Sequence, residues 1–145
     1  MTMKGYLLDT DVVSELRRHP PGKNVAAWLK RRVPEELYLA NLTIGELQRG
    51  ASKLGNTRRA VETSAWIDAL INVQFVERIL MFDMRSARRW GRMMGEHDHV
   101  GKTLPSADAQ IAAVALEHDL VAVTRNEKDF RRMISDIVNP FEPMP

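Results

Sequence analysis

The chain has 145 residues, which suits one domain (1–145), and 21 Lys and Arg against 19 Asp and Glu, for a net charge of +2 that does not by itself suggest a nucleic-acid partner. It contains no cysteine, which excludes disulfides, thiolate catalysis and Cys-ligated zinc. No apolar run approaches the ~20 residues of a membrane span, and Met1 to Leu8 is too short for a signal peptide, so a soluble cytoplasmic protein without membrane contact is expected.

Tyr6-Leu7-Leu8 reads as a buried strand, after which Thr10 or Asp11 caps a helix running to about Arg18. His19-Pro20-Pro21-Gly22 ends it. Val25, Trp28 and Leu29 have i, i+3, i+4 spacing, which predicts a helix over 23–32. Leu37 to Leu42 reads as a second strand and Thr43 to Leu54 as a helix, broken by Gly55-Asn56. An amphipathic stretch follows, from Thr57 to about Asn72. Ile79-Leu80-Met81-Phe82 is a third strand, and Asp83 to about His97 is a helix rich in Arg and Met. Glu96 to Lys102 reads as a polar loop, Pro105 to His118 as a helix, and Leu120 to Val123 as a fourth strand. Asn126 to Phe130 is a turn, Ile137-Val138 a short last strand, and the Pro-rich tail Asn139 to Pro145 is expected to be extended. Strands alternating with helices predict a mostly parallel sheet covered on both faces.

Three carboxylates stand where apolar runs give way to helix starts. Asp9 follows the first strand, Glu46 lies just past the second, and Asp108 opens the run Ala109 to Leu116. They are 37 and 62 positions apart, so no local structure explains all three. In parallel sheets, ligands bind beyond the carboxyl ends of the strands. Carboxylates gathered there repel, and a divalent cation relieves the repulsion. An oxygen-rich site of this kind suits Mg²⁺ or Mn²⁺ and metal-assisted phosphodiester hydrolysis. Each acid also has a plainer reading. Thr43-Ile44-Gly45-Glu46 has the form of a capping box. Asp108 complements a helix dipole. Asp9 is harder to explain away, because Thr10 and Asp11 can cap without it.

Basic residues cluster as Arg17, Arg18, Lys23, Lys30, Arg31 and Arg32, as Arg85, Arg88, Arg89 and Arg92, and as Arg125, Lys128, Arg131 and Arg132. They suit a polyanion beside an acidic pocket, or simply solvated helix faces. His97-Asp98-His99 lacks a third zinc ligand at useful spacing. Trp28, Trp66 and Trp90, with Phe75 and Phe82, fall at core spacing. Met81, Met84, Met93 and Met94 suggest packing or a contact between subunits.

Four segments, in this order, resemble the PIN-domain proteins of the VapC and FitB-like toxin group. They are Leu7-Leu8-Asp9-Thr10-Asp11-Val12-Val13-Ser14-Glu15-Leu16, Thr43-Ile44-Gly45-Glu46-Leu47, Ser106-Ala107-Asp108-Ala109-Gln110-Ile111-Ala112-Ala113-Val114-Ala115, and Val123-Thr124-Arg125-Asn126-Glu127-Lys128-Asp129-Phe130. The resemblance implies a three-layer α/β/α sandwich around a mostly parallel sheet of about five strands. It implies an Mg²⁺- or Mn²⁺-dependent endoribonuclease acting as the toxin of a type II toxin–antitoxin pair. Its partners would be RNA, a cognate antitoxin that blocks the metal pocket, operator DNA through that antitoxin, and a second copy of the chain. The family's metal ligands carry over to Asp9, Glu46 and Asp108. Many members have a fourth acid where this chain has Asn126, with Asp129 three residues on, and either residue could support the ligands from behind. Asp11 stands where Asn is frequent. Thr10, Ser14 and Thr124 could hydrogen-bond the carboxylates, and Arg85, Arg88, Arg89 or Arg125 could grip flanking phosphates.

In the expected reaction Asp9 and Asp108 hold the metal, and Glu46 binds it through water or orients the attacking water. In-line attack then leaves 5′-phosphate and 3′-hydroxyl ends. Two rivals stand beside this reading. Asp9-Thr10-Asp11-Val12-Val13 also fits the opening of haloacid-dehalogenase-like phosphatases, with Asp9 as nucleophile. That fold then needs a Lys and an acidic pair on later strands, and only 21 residues follow Thr124. The other rival is a PIN domain that binds a partner or joins a DNA complex without cleaving, motivated by Asn126.

Overall fold

The computed structural model describes residues 4–144. Met1 to Met3, and Pro145 of the expected extended tail, lie outside them. The elements run β1 (Tyr6–Leu8), α1 (Thr10–Glu15), α2 (Lys23–Lys30), β2 (Leu37–Ala40), α3 (Asn41–Ser52), α4 (Arg58–Ala69), β3 (Ile79–Leu80), α5 (Met84–His99), α6 (Ser106–Glu117), β4 (Val121–Val123), α7 (Glu127–Phe130) and β5 (Ile137–Val138). The five strands form one sheet in the order β3-β2-β1-β4-β5, and every pairing is parallel. The expected three-layer architecture is therefore present.

Neighbouring strand residues point to opposite faces, and both faces are apolar. Leu8, Leu39 and Val123 pack with Val12, Trp28, Leu47 and Ile67 from α1 to α4. Leu7, Ala40 and Ala122 pack with Ile111, Ala112, Ala115 and Phe130 from α6 and α7, and Met93 of α5 joins them. Trp28 and Phe75 belong to the core as expected. Met81 and Met84 are exposed. Among the described residues no helix is long and apolar enough to cross a membrane.

The chain reverses side at β1. From β1 it passes to β2 in one direction, and the sheet resumes at β4 in the other. Such a reversal opens a crevice at the carboxyl ends of the two central strands, where open α/β sheets bind ligands.

Several boundaries differ from the sequence expectations. Helix α1 ends at Glu15 instead of Arg18. The buried Glu15 carboxylate accepts from the Gly22 N–H at 2.8 Å and pulls the chain round toward α2. Strand β2 stops at Ala40, and Asn41 and Leu42 already belong to α3. Asn41 Oδ1 accepts from the Phe82 N–H at 2.8 Å, so its side chain holds the neighbouring segment beyond the strand. Because Ala40 occupies the N-cap of α3, Thr43 lies inside the helix and the Thr43–Glu46 capping box does not form. A π-helical turn, Leu70–Gln74, carries α4 past Asn72. Strand β3 stops at Leu80, and α5 continues through His99, so His97 and His99 end a helix and are not in a loop. The segment after β4 closes into the helical turn α7. Gly55 ends the α3 connection at φ 65°, a conformation that favours glycine. The tail is folded, not extended. The Phe141 carbonyl accepts from Asn24 Nδ2 at 2.8 Å, and Phe141 and Met144 pack on the core.

Candidate active site

The crevice between β1 and β4 is lined by acids. Asp9 leaves the end of β1 and serves as the N-cap of α1, a role the sequence assigned to Thr10 or Asp11. Its Oδ1 accepts from the Thr10 N–H at 2.8 Å. Its backbone N–H donates to the Val123 carbonyl at 2.8 Å, and Thr124 Oγ1 donates to its Oδ2 at 2.7 Å. The carboxylate is thus fixed by both central strands. Asp9 is only 7% exposed, and no Lys or Arg pairs with it among the described residues. Burial, and then the charge of Asp11, push its carboxyl up to about 7.

Glu46 projects from α3 at the exposed rim. Thr10 Oγ1 donates to Glu46 Oε1 at 3.1 Å and shares a 3.0 Å contact with Thr43 Oγ1. A hydroxyl has one proton, so a Thr10 that donates to Glu46 must accept from Thr43. Asp108 lies in the first turn of α6. Asn126 Nδ2 donates to Asp108 Oδ2 at 2.8 Å and to Asp129 Oδ2 at 3.0 Å. The side-chain amide therefore clamps two acids, where a carboxylate in its place would repel both. The Asn126 N–H also donates to Thr124 Oγ1 at 3.0 Å. One relay of hydrogen bonds runs from Asn126 through Thr124 to Asp9.

Asp11 stands one residue beyond Thr10. Its Oδ2 accepts from the Arg125 N–H at 3.1 Å, and its Oδ1 is buried with no partner. Partial burial raises Glu46, Asp108 and Asp11 above the usual carboxylate range as well. Asp108 and Asp11 act on Glu46, Asp129 and Asp11 act on Asp108, and Asp11 and Asp108 act on Asp9. These acids share one electrostatic field. Among the described residues, however, no three His, Asp or Glu side chains converge into a ready-made metal cage.

The chemistry of the donor set fits a hard divalent cation. All donors are oxygens, none of Asp9, Asp11, Glu46 and Asp108 is in a salt bridge among the described residues, and Asp11 Oδ1 is a buried acceptor left over there. Asp9, Asp108 and Glu46 are the residues that would hold it.

The other expected contacts divide. Ser14 is exposed on α1, in the cleft that also contains Thr10. Arg85 and Arg89 reach Glu117 at 3.5 and 2.7 Å, and neither reaches the acids through a hydrogen bond or ion pair. Arg88 is exposed beside them. The Arg125 guanidinium stacks on Phe141 at 3.7 Å. His97 Nδ1 donates to the Met93 carbonyl at 2.9 Å, an ordinary intrahelical contact. Among the described residues no lysine contacts Asp9 or Asp11, which leaves the phosphatase rival without its lysine. The sequence suggests Thr43 as a helix cap, not as the residue fully buried behind Thr10, and places Arg17 only within a general basic cluster. Thr43 stands inside the motif around Glu46, which was its one visible signal.

Comparison with known proteins agrees with this architecture. The PIN domain family model matches residues 6–134. The chain is 32% identical over 137 residues to a VapC ribonuclease of Sinorhizobium fredii, covering 94% of this chain and 98% of that protein. It is 33% identical over 135 residues to the toxin FitB of Neisseria gonorrhoeae, covering 93% and 97%. A structure of FitAB bound to an IR36 DNA fragment superposes with a TM-score of 0.86 at 31% identity, covering 97% of this chain and 98% of that one. With the acids of its central crevice in view, the chain belongs to the PIN-domain family, among relatives that include VapC ribonucleases and the toxin FitB.

Proposed function

We propose that this protein, acting as one PIN-like domain, is a divalent-metal-dependent endoribonuclease and the toxin of a toxin–antitoxin pair. The observation that carries the reading is the cluster of Asp11, Glu46 and Asp108 around buried Asp9, four acids with no salt bridge among the described residues, in a chain related to a VapC ribonuclease over nearly its whole length. A bound Mg²⁺ or Mn²⁺ supplies charge neutralisation, polarisation of the phosphoryl oxygens and a more acidic attacking water.

The chain's own groups do the rest. Asp9 and Asp108 would hold the cation, with Glu46 reaching it through water. Glu46, at the open rim, orients the attacking water and takes up its proton, a role its raised carboxyl suits. Thr10 holds one Glu46 oxygen, so the other stays free to face the water. Thr124 keeps Asp9 oriented, and Asn126 keeps Asp108 from turning away. Asp129 and Asp11 deepen the negative field. The products are 5′-phosphate and 3′-hydroxyl ends.

An antitoxin is the proposed protein partner, and operator DNA is engaged through it. A FitAB complex on DNA supports this order of assembly. A homodimer through the exposed Met81 and Met84 region belongs to the same reading. The non-cleaving reading keeps one observation, the neutral Asn126 between Asp108 and Asp129.

The test is cleavage of a mixed RNA pool by the antitoxin-free protein, with Mg²⁺, Mn²⁺ or EDTA, alongside Asp9→Asn. Discrete metal-dependent cuts with 5′-phosphate ends, lost in Asp9→Asn, are expected. Metal binding without any cut would instead favour the partner-binding domain.

A further inference from the structure

A cleft of about 560 Å³ opens beside the acids and shares Thr10 and Glu46 with them. Its other wall is made by the segment just after α1, which brings Arg17 into it, and by α4, which brings Arg59, Thr63 and Trp66. The arginines that line this cleft, and Arg58 next to one of them in sequence, fall into two kinds. Arg18 is neutralised by Glu15 at 3.2 Å, and Arg58 by Glu62 at 3.1 Å. Arg17 and Arg59 pair with no carboxylate among the described residues.

Arg17 is also held in place. Its Nη1 donates to Thr63 Oγ1 at 2.6 Å, and its guanidinium lies over the Trp66 ring at 5.5 Å. Buried Thr63 is itself fixed, because its hydroxyl donates to the Arg59 carbonyl at 2.7 Å. Guanidinium is a fork of five N–H donors, and Thr63 occupies one. A cation that is half-buried, oriented by a hydroxyl and an aromatic face, and left without a counter-charge is prepared for an anion.

The acids create the need for one. A phosphodiester chain crossing this site meets a field of like sign from Asp9, Asp11, Glu46 and Asp108. Positive charge within the same crevice offsets that repulsion and sets the register of the strand. We infer that the cleft between α1, α3 and α4 seats an RNA phosphate flanking the scissile one, gripped by Arg17 and assisted by Arg59. This inference rests on the ribonuclease reading above and names a part of the substrate site. The basic groove of Arg85, Arg88, Arg89 and Arg92 is a weaker seat, since it shares none of the acids and holds Glu117 as its own counter-charge.

The experiment measures a labelled, random-sequence single-stranded RNA 12-mer binding to wild type, Arg17→Gln, Arg17→Lys and Arg59→Gln. Binding is followed in EDTA across a salt series, and KM and kcat are measured with metal. Arg17→Gln is expected to raise Kd and KM about tenfold with kcat nearly unchanged. It should flatten the logarithmic salt slope by about 0.7, the value for one phosphate on a single strand. Arg17→Lys keeps the slope but not the full affinity. Arg59→Gln, at an exposed position that leaves folding alone, flattens the slope similarly with a smaller loss in affinity. If wild type cleaves RNA while both Gln variants match it in KM and slope, the subsite is overturned and the nuclease reading stands. If no protein cleaves but wild type alone keeps the steep salt-dependent binding, the subsite stands and the nuclease reading falls. If Arg17→Gln weakens only binding to the co-expressed antitoxin, the cleft is a protein groove and the inference is wrong.

Discussion

Glu117 meets Arg89 at 2.7 Å and Arg85 at 3.5 Å, whereas Asp9 pairs with no cation among the described residues. The hydrogen bond from Arg89 holds the Glu117 carboxyl below its ordinary range, while burial drives Asp9 up to about 7. The same functional group is relaxed in one region and under electrostatic load in the other. A fold selected only for stability would treat Asp9 as it treats Glu117. An acid kept buried and hydrogen-bonded, with no cation in a salt bridge among the described residues, carries an electrostatic cost that a bound cation would relieve under the proposed function.

The contrast breaks most sharply at Asp9. Asp9→Asn should lower RNA cleavage by more than the roughly 100-fold that losing a group behind a metal ligand costs, while raising the metal-free Tm by a few degrees. A destabilised and fully active variant would reverse the assignment.

The pH dependence has a definite sign. Between the ordinary carboxylate range and about pH 7, folded Asp9 holds a proton that the unfolded chain has lost. Metal-free stability therefore falls as pH rises through this window, by up to about 4 kcal/mol from Asp9 alone. Asp11, Glu46 and Asp108 shift in the same direction. Thermal melts in EDTA from pH 4 to 8 measure it. Adding Mg²⁺ or Mn²⁺ at pH 8 should raise Tm, through about 2.7 kcal/mol of added stability at a hundred times Kd. Glu117 carries the opposite sign, since its contribution is lost as pH falls through the carboxylate range.

Thr124→Val removes the donor to Asp9 Oδ2 without changing side-chain volume. Cleavage should drop about 10- to 100-fold, and the Asp9 carboxyl, followed by NMR titration, should move further up. An unchanged titration would mean that Thr124 is only packing.

The smallest effect is expected at Glu117→Gln. Cleavage and metal affinity should match wild type, with only a slight loss in Tm near neutral pH. A large loss of cleavage would show that the two regions are coupled.

Much of this molecule was legible from its residues. Short apolar runs of β1, β2 and β4 announce strands because both faces of a parallel sheet are buried. Asp9 was visible as an acid that no turn required, although it proved to cap α1 itself. Glu46 was partly hidden by its own motif, for Thr43 to Glu46 imitates a cap. In the fold the helix starts earlier, at Asn41, whose side chain is held by the Phe82 N–H of the neighbouring segment. The role of Asn126 was not legible, because a clamp on Asp108 and Asp129 depends on how α6 and α7 pack. Arg17 escaped for a similar reason: sequence places it beside Arg18, and only the fold shows that Arg18 pairs with Glu15 while Arg17 turns to Thr63 of α4.

The bond from Thr124 to Asp9 joins positions 115 residues apart. During synthesis the chain emerges from its N-terminus, and domains fold as units. Asp9 and Glu46 are therefore translated long before the groups that orient Asp9 and clamp Asp108. Contacts of such separation must close large loops before they repay the entropy. The site is consequently completed late in translation: a nascent chain that stops short of β4 already carries Asp9, Asp11, Glu46 and Asp108, but lacks Thr124, which orients Asp9, and Asn126, which clamps Asp108.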